Sequence, residues 1–558
     1  MSLFKKHNKI LTRALEEIEN RGYYSPYFEI PSSKVYGEGV KEASIASFKA
    51  QLNNKFEIKG LDSDKYIGKE ISPYGFDLGI TYPSIKADKL VSDSKVAMKQ
   101  WQKISLDDRA GICLEILDRI NKRSFEMANA VMHTTGQPYM MSFQAGGPHA
   151  QDRGLEAAAY AYRQLSKIPT NAKFEKPTGK DKPPIVQNKK LVVAPKGISL
   201  IITCSTFPTW NSYSGLFASL IAGNSVIYKP HRNGILPIAL TVQTAREVLE
   251  ENGVDANVVS MILSDDRSET QSLVKNKAVK IIDFTGSTEF GDWLEDNAPQ
   301  ANVYTEKAGV NCLLIDNFDD LKGMSRNVSM SLSLYSSQMC TAPQNIFIPK
   351  DGIVSNGEKV SFDDVAKLIC GSIEKLLSVE ERAVEILGAI QNSDICNRVD
   401  EASSLGEILL ESKSIKHPMF ENATIKTPVV IKVSSKDKNL FHNEHFGPVI
   451  LLIETESRED TLNVWQETIE LHGAITAGVY SSDEEYIEKT EDIAIEEKVN
   501  LSVNLTGHIL MNHSAAFTDF HATGDNKAAN CALSNDNFVS GRYSVVTIKR
   551  DAWCKFMN

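Results

Sequence analysis

The segment that decides the fold of this chain runs from residue 279 to residue 291 and reads VKIIDFTGSTEFG. Its first five residues form a largely apolar run typical of a strand, and a helical stretch begins after Gly286. A glycine lets the backbone turn tightly, and the free N–H groups at the start of a helix can bind a phosphate. The segment therefore indicates either a phosphate-binding strand–turn–helix unit or a simple turn of the same composition.

Apolar runs and helical stretches alternate on both sides of this segment. Strands that alternate with helices of this length are typical of βαβ units and a parallel sheet. The alternation restarts after about Gly309, which predicts a second α/β domain. The predicted strands are 192–202, 225–228, 258–263, 279–284, 311–315, 345–348, 429–433, 449–453, 474–480 and 542–549, and the predicted helices include 214–222, 236–251 and 362–377.

Three segments fall outside this alternation. Residues 1–90 are mixed and polar, and they predict an irregular N-terminal extension. Residues 171–190 are rich in Lys, Pro and Asn and predict a connection rather than a core element. Residues 542–549 form an isolated strand, which needs a partner sheet such as one in another subunit.

The composition bounds the class of protein. The chain has 558 residues and a formal net charge of −11, which argues against nucleic-acid binding driven by overall charge. Its 8 cysteines form no Cys-x-x-Cys pair, so neither a zinc ribbon nor any other metal site is expected, and a reducing compartment is favoured. No secretory signal and no apolar run of about 18 residues is present, which predicts a cytoplasmic protein with no membrane partner.

Two residues are candidates for covalent chemistry. Cys340 lies in the stretch SQMCTAP at residues 337–343, and Glu306 lies in YTEKAG at residues 304–309. A cysteine is usually a small buried apolar residue, and a glutamate is usually solvated. A nucleophilic cysteine needs thiolate character and a partner base. The order of Lys229-Pro230, the Gly286 turn, Glu306, Cys340 and the EHFGP stretch at 444–448 is more specific than any of its parts.

That order resembles the aldehyde dehydrogenase superfamily over roughly residues 90–550. Four stretches are similar to the PaaN-type branch of phenylacetic acid degradation: VMHTTGQ at 131–137, FPTWN at 207–211, YTEKAGVN at 304–311 and SAAFTDFH at 514–521. The resemblance to this branch includes the N-terminal extension. It implies an α/β fold with a Rossmann-type cofactor domain, an α/β catalytic domain and a small oligomerisation sheet.

The resemblance also implies a division of the chain. Residues 1–90 would be the N-terminal extension, and residues 91–308 the NAD(P)-binding domain, with a bridging strand segment at 177–197. Residues 309–525 would be the catalytic thiol domain. Residues 526–558 would hold the C-terminal oligomerisation strand, which implies a homodimer or a homotetramer.

The roles that the resemblance implies are specific. Cys340 would attack the aldehyde carbon, and Glu306 would act as general base on the water that hydrolyses the resulting thioester. The implied NAD(P) contacts are Lys229 at the adenosine ribose, Gly286 and Ser287 at the pyrophosphate, and Glu444 at the nicotinamide ribose, with Phe446 beside it.

Two positions depart from the pattern of the superfamily. Thr206 stands where most members have an Asn that donates to the oxyanion, so its hydroxyl is the candidate donor, and the alternative is that Thr206 only packs. Asn211 is expected to line the substrate tunnel with Trp210. Arg232 stands where NAD-preferring members often have a Glu, and a cation there suits the 2′-phosphate of NADP, although a solvated arginine fits as well.

The sequence therefore predicts oxidation of an aldehyde to a carboxylic acid with NADP or NAD. The resemblance points to a ring-opened semialdehyde of phenylacetate catabolism as the substrate. The alternatives are a CoA-acylating dehydrogenase, which the presence of Glu306 disfavours, and a catalytically weak nucleotide-binding scaffold. A cysteine hydrolase would need a histidine beside Cys340, and His442 and His445 are the candidates near Glu444.

Overall fold

The computed structural model describes residues 2–307, 309–551 and 553. The N-terminal extension is helical in part rather than irregular, because α1 buries one apolar face that includes Leu11, Ala14 and Ile18. Its elements are helices α1 (Leu3–Asn20), α2 (Ser33–Tyr36) and α3 (Val40–Gln51) and the short strands β1 (Tyr66–Ile67), β2 (Ile71–Ser72), β3 (Phe76–Asp77) and β4 (Tyr82–Pro83).

The next part of the chain contains a helical layer and a five-stranded parallel sheet. The helices before the sheet are α4 (Ala87–Trp101), α5 (Leu106–Lys122), α6 (Ser124–Thr135), α7 (Tyr139–Gly146) and α8 (Pro148–Ser166). The elements that follow are β5 (Asn171–Lys176), β6 (Ile185–Pro195), β7 (Ile198–Ile202), α9 (Trp210–Ile221), β8 (Ser225–Lys229), α10 (Ile235–Glu251), β9 (Val259–Met261), α11 (Arg267–Lys275), β10 (Val279–Thr285), α12 (Thr288–Asn297) and β11 (Asn302–Glu306). The sheet has the order β11-β10-β7-β8-β9.

Two predictions for this part are wrong in detail. The connection predicted at 171–190 contains β5 and the start of β6, which pair antiparallel. The single strand predicted at 192–202 is two strands, because β6 ends at Pro195 and Gly197 takes a φ of 153° before β7 begins. β6 and β7 then belong to different sheets.

The second α/β part is built on a seven-stranded sheet with the order β16-β17-β18-β13-β12-β19-β20, in which β16 pairs antiparallel. Its elements are β12 (Cys312–Ile315), α13 (Leu321–Ser333), β13 (Asn345–Pro349), β14 (Ile353–Ser355), β15 (Glu358–Val360), α14 (Phe362–Leu376), α15 (Glu380–Leu387), α16 (Ser393–Glu401), β16 (Glu407–Leu410), β17 (Val429–Ser434), α17 (Lys438–Phe441), β18 (Val449–Thr455), α18 (Arg458–His472), β19 (Thr476–Tyr480), α19 (Glu484–Glu496) and β20 (Asn500–Val503).

The C-terminal strand finds its partner within the same chain. After α20 (Asp536–Ser540), β21 (Tyr543–Asp551) pairs antiparallel with β6, and the small sheet has the order β21-β6-β5. Arg542 anchors β21, because its buried guanidinium forms two hydrogen bonds with Asp283 of β10 at 2.9 and 2.5 Å. Residues 554–558, which the predicted C-terminal segment includes, lie outside the described part of the chain.

The register of the five-stranded sheet positions the site. Ile202 pairs with Lys229, Phe284 with Ile202, and Thr285 with Glu306, so four strands end at the same edge. The loops that follow these strands therefore meet there, as expected for the carboxyl edge of a parallel sheet. In the described part of the chain, no helix is long and apolar enough to cross a bilayer.

Candidate active site

One cleft with a volume of about 1420 Å³ lies at this edge and reaches the second α/β part. It brings together every residue that the sequence assigned to catalysis or to the cofactor. These are Thr206, Lys229, Arg232, Gly286, Ser287, Glu306, Cys340, Glu444 and Phe446. Segments separated by more than two hundred residues therefore contribute to a single site.

Cys340 is held by the backbone around it. Three consecutive residues before it, Tyr335, Ser336 and Ser337, have positive φ values of 52°, 49° and 52°. Such a conformation costs energy for residues other than glycine, and it persists only where the surroundings fix it. The side chain of Asn311 supplies such a contact, because its Nδ2 donates to the carbonyl oxygens of Cys340 at 2.7 Å and Ala342 at 3.1 Å.

Glu306 ends β11 and is buried, with 1 % of its side chain exposed. Asn211 Nδ2 donates to its Oε2 at 2.9 Å, and His521 Nε2 lies 3.0 Å from its Oε1. Burial alone would raise the pKa of Glu306, but His521, Cys340 and Asn211 hold that pKa below its ordinary value. The carboxylate is therefore ionised in the resting protein.

Cys340 lies directly beside this carboxylate. Burial raises the pKa of the Cys340 thiol well above its ordinary value, and the charge of Glu306 raises that pKa further. His521 Nε2 lies 3.6 Å from the Cys340 sulfur. A carboxylate oxygen of Glu306, the sulfur of Cys340 and a ring nitrogen of His521 all lie within 4.8 Å of one another.

His521 is the main feature of the site that the sequence analysis missed. The stretch SAAFTDFH at 514–521 was noted only for its resemblance to one branch of a family. His521 is 181 positions from Cys340, so no local motif joins the two residues. The histidines considered near Glu444 have other contacts, since His445 Nε2 lies 2.7 Å from the Leu440 carbonyl oxygen.

The residues predicted to bind a pyrophosphate lie where β10 leads into α12. Ser287 is the N-cap of α12, and its hydroxyl accepts a hydrogen bond from Phe290 N at 3.4 Å. Gly286 N donates to the Glu306 carbonyl oxygen at 3.0 Å, and a Cβ at Gly286 would lie 2.6 Å from the Phe284 ring. A side chain there would therefore displace the Phe284 ring.

The predicted adenosine end of the cleft carries positive charge. Lys229 ends β8, and burial lowers its pKa, as does the charge of Arg232. Arg232 is exposed and lines the cleft together with Lys69 and Arg267. Burial lowers the pKa of His231 to about 4, so this histidine is neutral at physiological pH.

Glu444 and Phe446 lie at the opposite wall. Burial raises the pKa of Glu444 to about 7, and the charge of Arg398 opposes this rise. Arg398 donates through Nε and Nη2 to the Phe446 carbonyl oxygen at 3.1 and 2.9 Å. Arg398 thus fixes the backbone beside Glu444, and both residues line the cleft.

The aromatic segment after β7 lies close to Glu306. Asn211, which is expected to line a substrate tunnel with Trp210, donates to Glu306. Trp210 packs edge-on against the His521 ring, with centroids 4.7 Å apart. Thr206 lines the cleft, and its carbonyl oxygen accepts a hydrogen bond from Gln137 Nε2 at 2.8 Å.

Comparison with known proteins places this site in a family. The chain is 47% identical to an NAD-dependent aldehyde dehydrogenase from Burkholderia multivorans of known structure, with a TM-score of 0.97 and coverage of 99% of both chains. It is 22% identical to the 1-pyrroline-5-carboxylate dehydrogenase of Staphylococcus saprophyticus over 472 residues, which cover 81% of this chain and 86% of that protein.

A solved structure of 1-pyrroline-5-carboxylate dehydrogenase from Thermus thermophilus has a TM-score of 0.74 at 16% identity, and covers 95% of this chain and 99% of that one. A likeness at this identity shows the shared α/β fold alone. The family model described as "Aldehyde dehydrogenase family" matches residues 82–518. Because that match spans most of its length, the chain belongs to the aldehyde dehydrogenase family and is an enzyme of that family.

Proposed function

We propose that this enzyme oxidises an aldehyde to a carboxylic acid with NAD or NADP through a thioester on Cys340. One observation carries this proposal: the Cys340 sulfur and the Glu306 carboxylate lie at one end of a cleft that also holds the strand–turn–helix unit at Gly286 and Ser287. A nucleophile, a base and a phosphate-binding helix start are the parts that such a reaction needs.

The residues of the cleft fit a dinucleotide. The start of α12 offers backbone N–H groups to a pyrophosphate, and Lys229 ends β8 at the same edge of the sheet. Among the described residues, none donates a hydrogen bond to the half-buried Glu444 carboxyl group, so the group is free to accept from ribose hydroxyls. NAD or NADP, when bound there, supplies the hydride acceptor.

The side chains then have separate tasks. The Cys340 sulfur forms a bond to the aldehyde carbon, and loss of hydride from that carbon leaves a thioester. Glu306 accepts a proton from the water that attacks the thioester, the C–S bond breaks, and the acid leaves. Thr206 lines the same cleft, and we assign its hydroxyl as the donor to the oxygen of the tetrahedral species.

The choice between NAD and NADP depends on the residues at the end of the cleft that is predicted to bind the adenosine ribose. Arg232 has no ion-pair partner among the described residues, and its guanidinium suits a 2′-phosphate, which supports NADP. The Burkholderia multivorans relative is named NAD-dependent, which supports NAD. Both nucleotides therefore enter the assay below.

We propose a ring-opened semialdehyde of phenylacetate catabolism as the substrate. This proposal rests on the resemblance of the stretches at 131–137, 207–211, 304–311 and 514–521 to the PaaN-type branch. Three of these stretches supply residues at the site here, since Trp210 contacts His521 and Glu306 lies beside Cys340. The relatives that are named 1-pyrroline-5-carboxylate dehydrogenases are only about 22% identical to this chain. They therefore support its membership of the family but not 1-pyrroline-5-carboxylate as its substrate.

A cysteine hydrolase is the second candidate, because His521 lies 3.6 Å from the Cys340 sulfur. We prefer the dehydrogenase, since a hydrolase needs no nucleotide and so does not account for the cleft around Lys229, Ser287 and Glu444. A CoA-acylating enzyme is the third candidate, and the ionised Glu306 beside the thiol favours water as the acyl acceptor.

The test is a spectrophotometric assay of nicotinamide reduction with aliphatic and aromatic aldehydes and a ring-opened semialdehyde, with NAD and NADP in parallel, and with and without coenzyme A. We expect turnover without coenzyme A that is lost in Cys340→Ala and retained in Cys396→Ala, a cysteine that does not line the cleft. Turnover only with coenzyme A would establish the acylating enzyme. Ester hydrolysis without nucleotide reduction would establish the hydrolase, and nucleotide binding without any turnover would establish the scaffold.

We also propose that the protein forms a homodimer or homotetramer through the sheet β21-β6-β5. This sheet exposes Phe174, Ile185, Val545, Val546 and Ile548, each at least 39 % exposed. In the described part of the chain, β21 and β5 each pair on one side only, so a second copy can add to the other side. Light scattering on the purified protein tests this, and a monomeric mass would contradict it.

The described cysteines are all free, which supports a location in the cytoplasm.

A further inference from the structure

We propose that His521 is a further catalytic residue, which donates a hydrogen bond from Nε2 to Glu306 in the resting enzyme and to the Cys340 sulfur once that sulfur is ionised. The proposal rests on the proposed function, because it assumes that Cys340 is the nucleophile. It assigns a reacting-site role to the segment at 514–521, which the dehydrogenase mechanism above does not use.

The contacts of the imidazole identify which nitrogen carries the proton. Nε2 lies 3.0 Å from Glu306 Oε1 and 3.6 Å from the Cys340 sulfur. Nδ1 is buried, and among the described residues it has no hydrogen-bond partner. An N–H group buried without an acceptor is costly, so the proton lies on Nε2, where an ionised carboxylate accepts it. His521 thus has its donor nitrogen directed at both reactive groups.

The orientation of the ring is fixed from the opposite side. Trp210 packs edge-on against it at 4.7 Å, and the Arg153 guanidinium lies 5.2 Å from the Trp210 ring centroid. Only 2 % of the His521 side chain is exposed. A ring enclosed in this way cannot turn Nε2 away from Glu306 without displacing Trp210.

The segment that carries His521 is tied to α8. Arg153, which is fully buried, donates to Ser514 Oγ at 2.5 Å and to Asp519 Oδ1 at 3.1 Å. Phe517 N donates to Glu156 Oε1 at 3.0 Å, and Phe517 has a positive φ of 68°. A bulky residue in this conformation is strained, so these buried polar contacts hold a shape that the local sequence disfavours.

The N-terminal extension supports the same segment from outside. The Arg21 guanidinium stacks 4.0 Å above the Phe520 ring, next to His521. Tyr24 packs edge-on against Phe517 with centroids 5.7 Å apart. The extension therefore contributes to the placement of His521 without touching the reacting atoms itself.

The charges around Cys340 explain why a donor is needed. The groups that face its sulfur are Glu306 from β11, Cys204 from the loop after β7, and Glu444 from the loop before β18, and each of them disfavours the thiolate. When the S–H bond breaks, the proton leaves to water in the cleft and the electron pair stays on sulfur. A hydrogen bond from His521 Nε2 to that sulfur stabilises the anion in these acidic surroundings.

The test uses the rate at which iodoacetamide alkylates Cys340, because only the thiolate reacts. The rate is followed by mass spectrometry of the Cys340 peptide, from about pH 6 to about pH 10, in the enzyme without aldehyde or nucleotide. His521→Gln places an amide N–H near the position of Nε2 and cannot take up a proton in this range, whereas the amide of His521→Asn is too short to reach the sulfur. His508→Gln, at an exposed histidine of the same C-terminal region, is the control.

We expect His521→Asn to slow alkylation near neutral pH by about tenfold or more and to move the pH–rate curve to higher pH, because a hydrogen bond to a charged group is lost. His521→Gln and His508→Gln should stay within about threefold of the native rate. Native-like alkylation in His521→Asn would overturn the proposal, and so would a His521→Gln variant as slow as His521→Asn. Since no turnover is measured, a failed dehydrogenase assay and a failed role for His521 are separate results.

Discussion

At the scale of single residues, Glu306 connects three distant parts of the chain. It accepts from Asn211 in α9 and His521 in the C-terminal region, and it faces Cys340. These donors keep the carboxylate ionised but also lower its basicity, since a carboxylate with two good donors binds a proton weakly. In the proposed mechanism, we therefore expect Glu306 to act as a base only while the water that attacks the thioester displaces one of these contacts.

Glu444 gives the pH dependence of nucleotide binding. The pKa of its carboxyl group is about 7 in the free enzyme, because the group is buried. The ionised form is the stronger acceptor for ribose hydroxyls, so affinity for NAD or NADP should rise by about threefold to tenfold between about pH 6 and about pH 8. Titration calorimetry across this range measures the effect.

The matched variant for this prediction is Glu444→Gln, which keeps the size of the side chain and cannot ionise. Its nucleotide affinity should be weaker and nearly independent of pH in the same range. His231 also lines the cleft, but its pKa is about 4, so it does not change its charge between about pH 6 and about pH 8 and does not contribute to this pH dependence. An equal pH slope in the two proteins would show that Glu444 does not hold the nucleotide.

At the scale of elements, the C-terminal strand depends on one buried ion pair. Arg542 precedes β21, donates to Asp283 of β10 and to Ser219 Oγ of α9, and has no exposed surface. Loss of one partner leaves the other charge buried and unpaired, which destabilises a protein by about 3–5 kcal/mol. Arg542→Met should therefore lower the midpoint of urea unfolding clearly.

Lys549→Met, at an exposed position of the same strand, is the control and should leave that midpoint nearly unchanged. Since Asp283 also faces Gly215 of α9, removal of its partner should disturb the packing of α9 on the sheet. A midpoint for Arg542→Met that equals that of the control would show that the pair does not hold β21.

The elements also show what the sequence could predict. Buried strands such as β8, β10, β13 and β18 were found, because strands covered on both faces are apolar runs. β5 and the start of β6 were missed, since their side chains are exposed or half-buried and their composition is that of a loop. The site residues followed from the order of motifs, whereas Asn211 and His521 act through contacts across 95 and 215 positions, which no local pattern shows.

At the scale of the whole molecule, the candidate active site is assembled from both sheets and from both ends of the chain. Glu306 lies at the edge of the five-stranded sheet, Cys340 comes from the loop before β13, and His521 comes from the segment that α8 and the N-terminal extension hold. The extension also lines the cleft through Ile67, Gly68, Lys69 and Ile71. The extension is therefore part of the wall of the candidate active site.

In the proposed mechanism, Cys340 carries the acyl group and Glu306 is needed to release it. Intact-protein mass spectrometry of Glu306→Gln, after brief incubation with aldehyde and NAD or NADP, measures this intermediate. We expect the protein to gain the mass of the acyl group, the added mass to map to the Cys340 peptide, and Cys340→Ala in the same background to lack it. An active Glu306→Gln enzyme that turns over without any adduct on Cys340 would show that no thioester forms there.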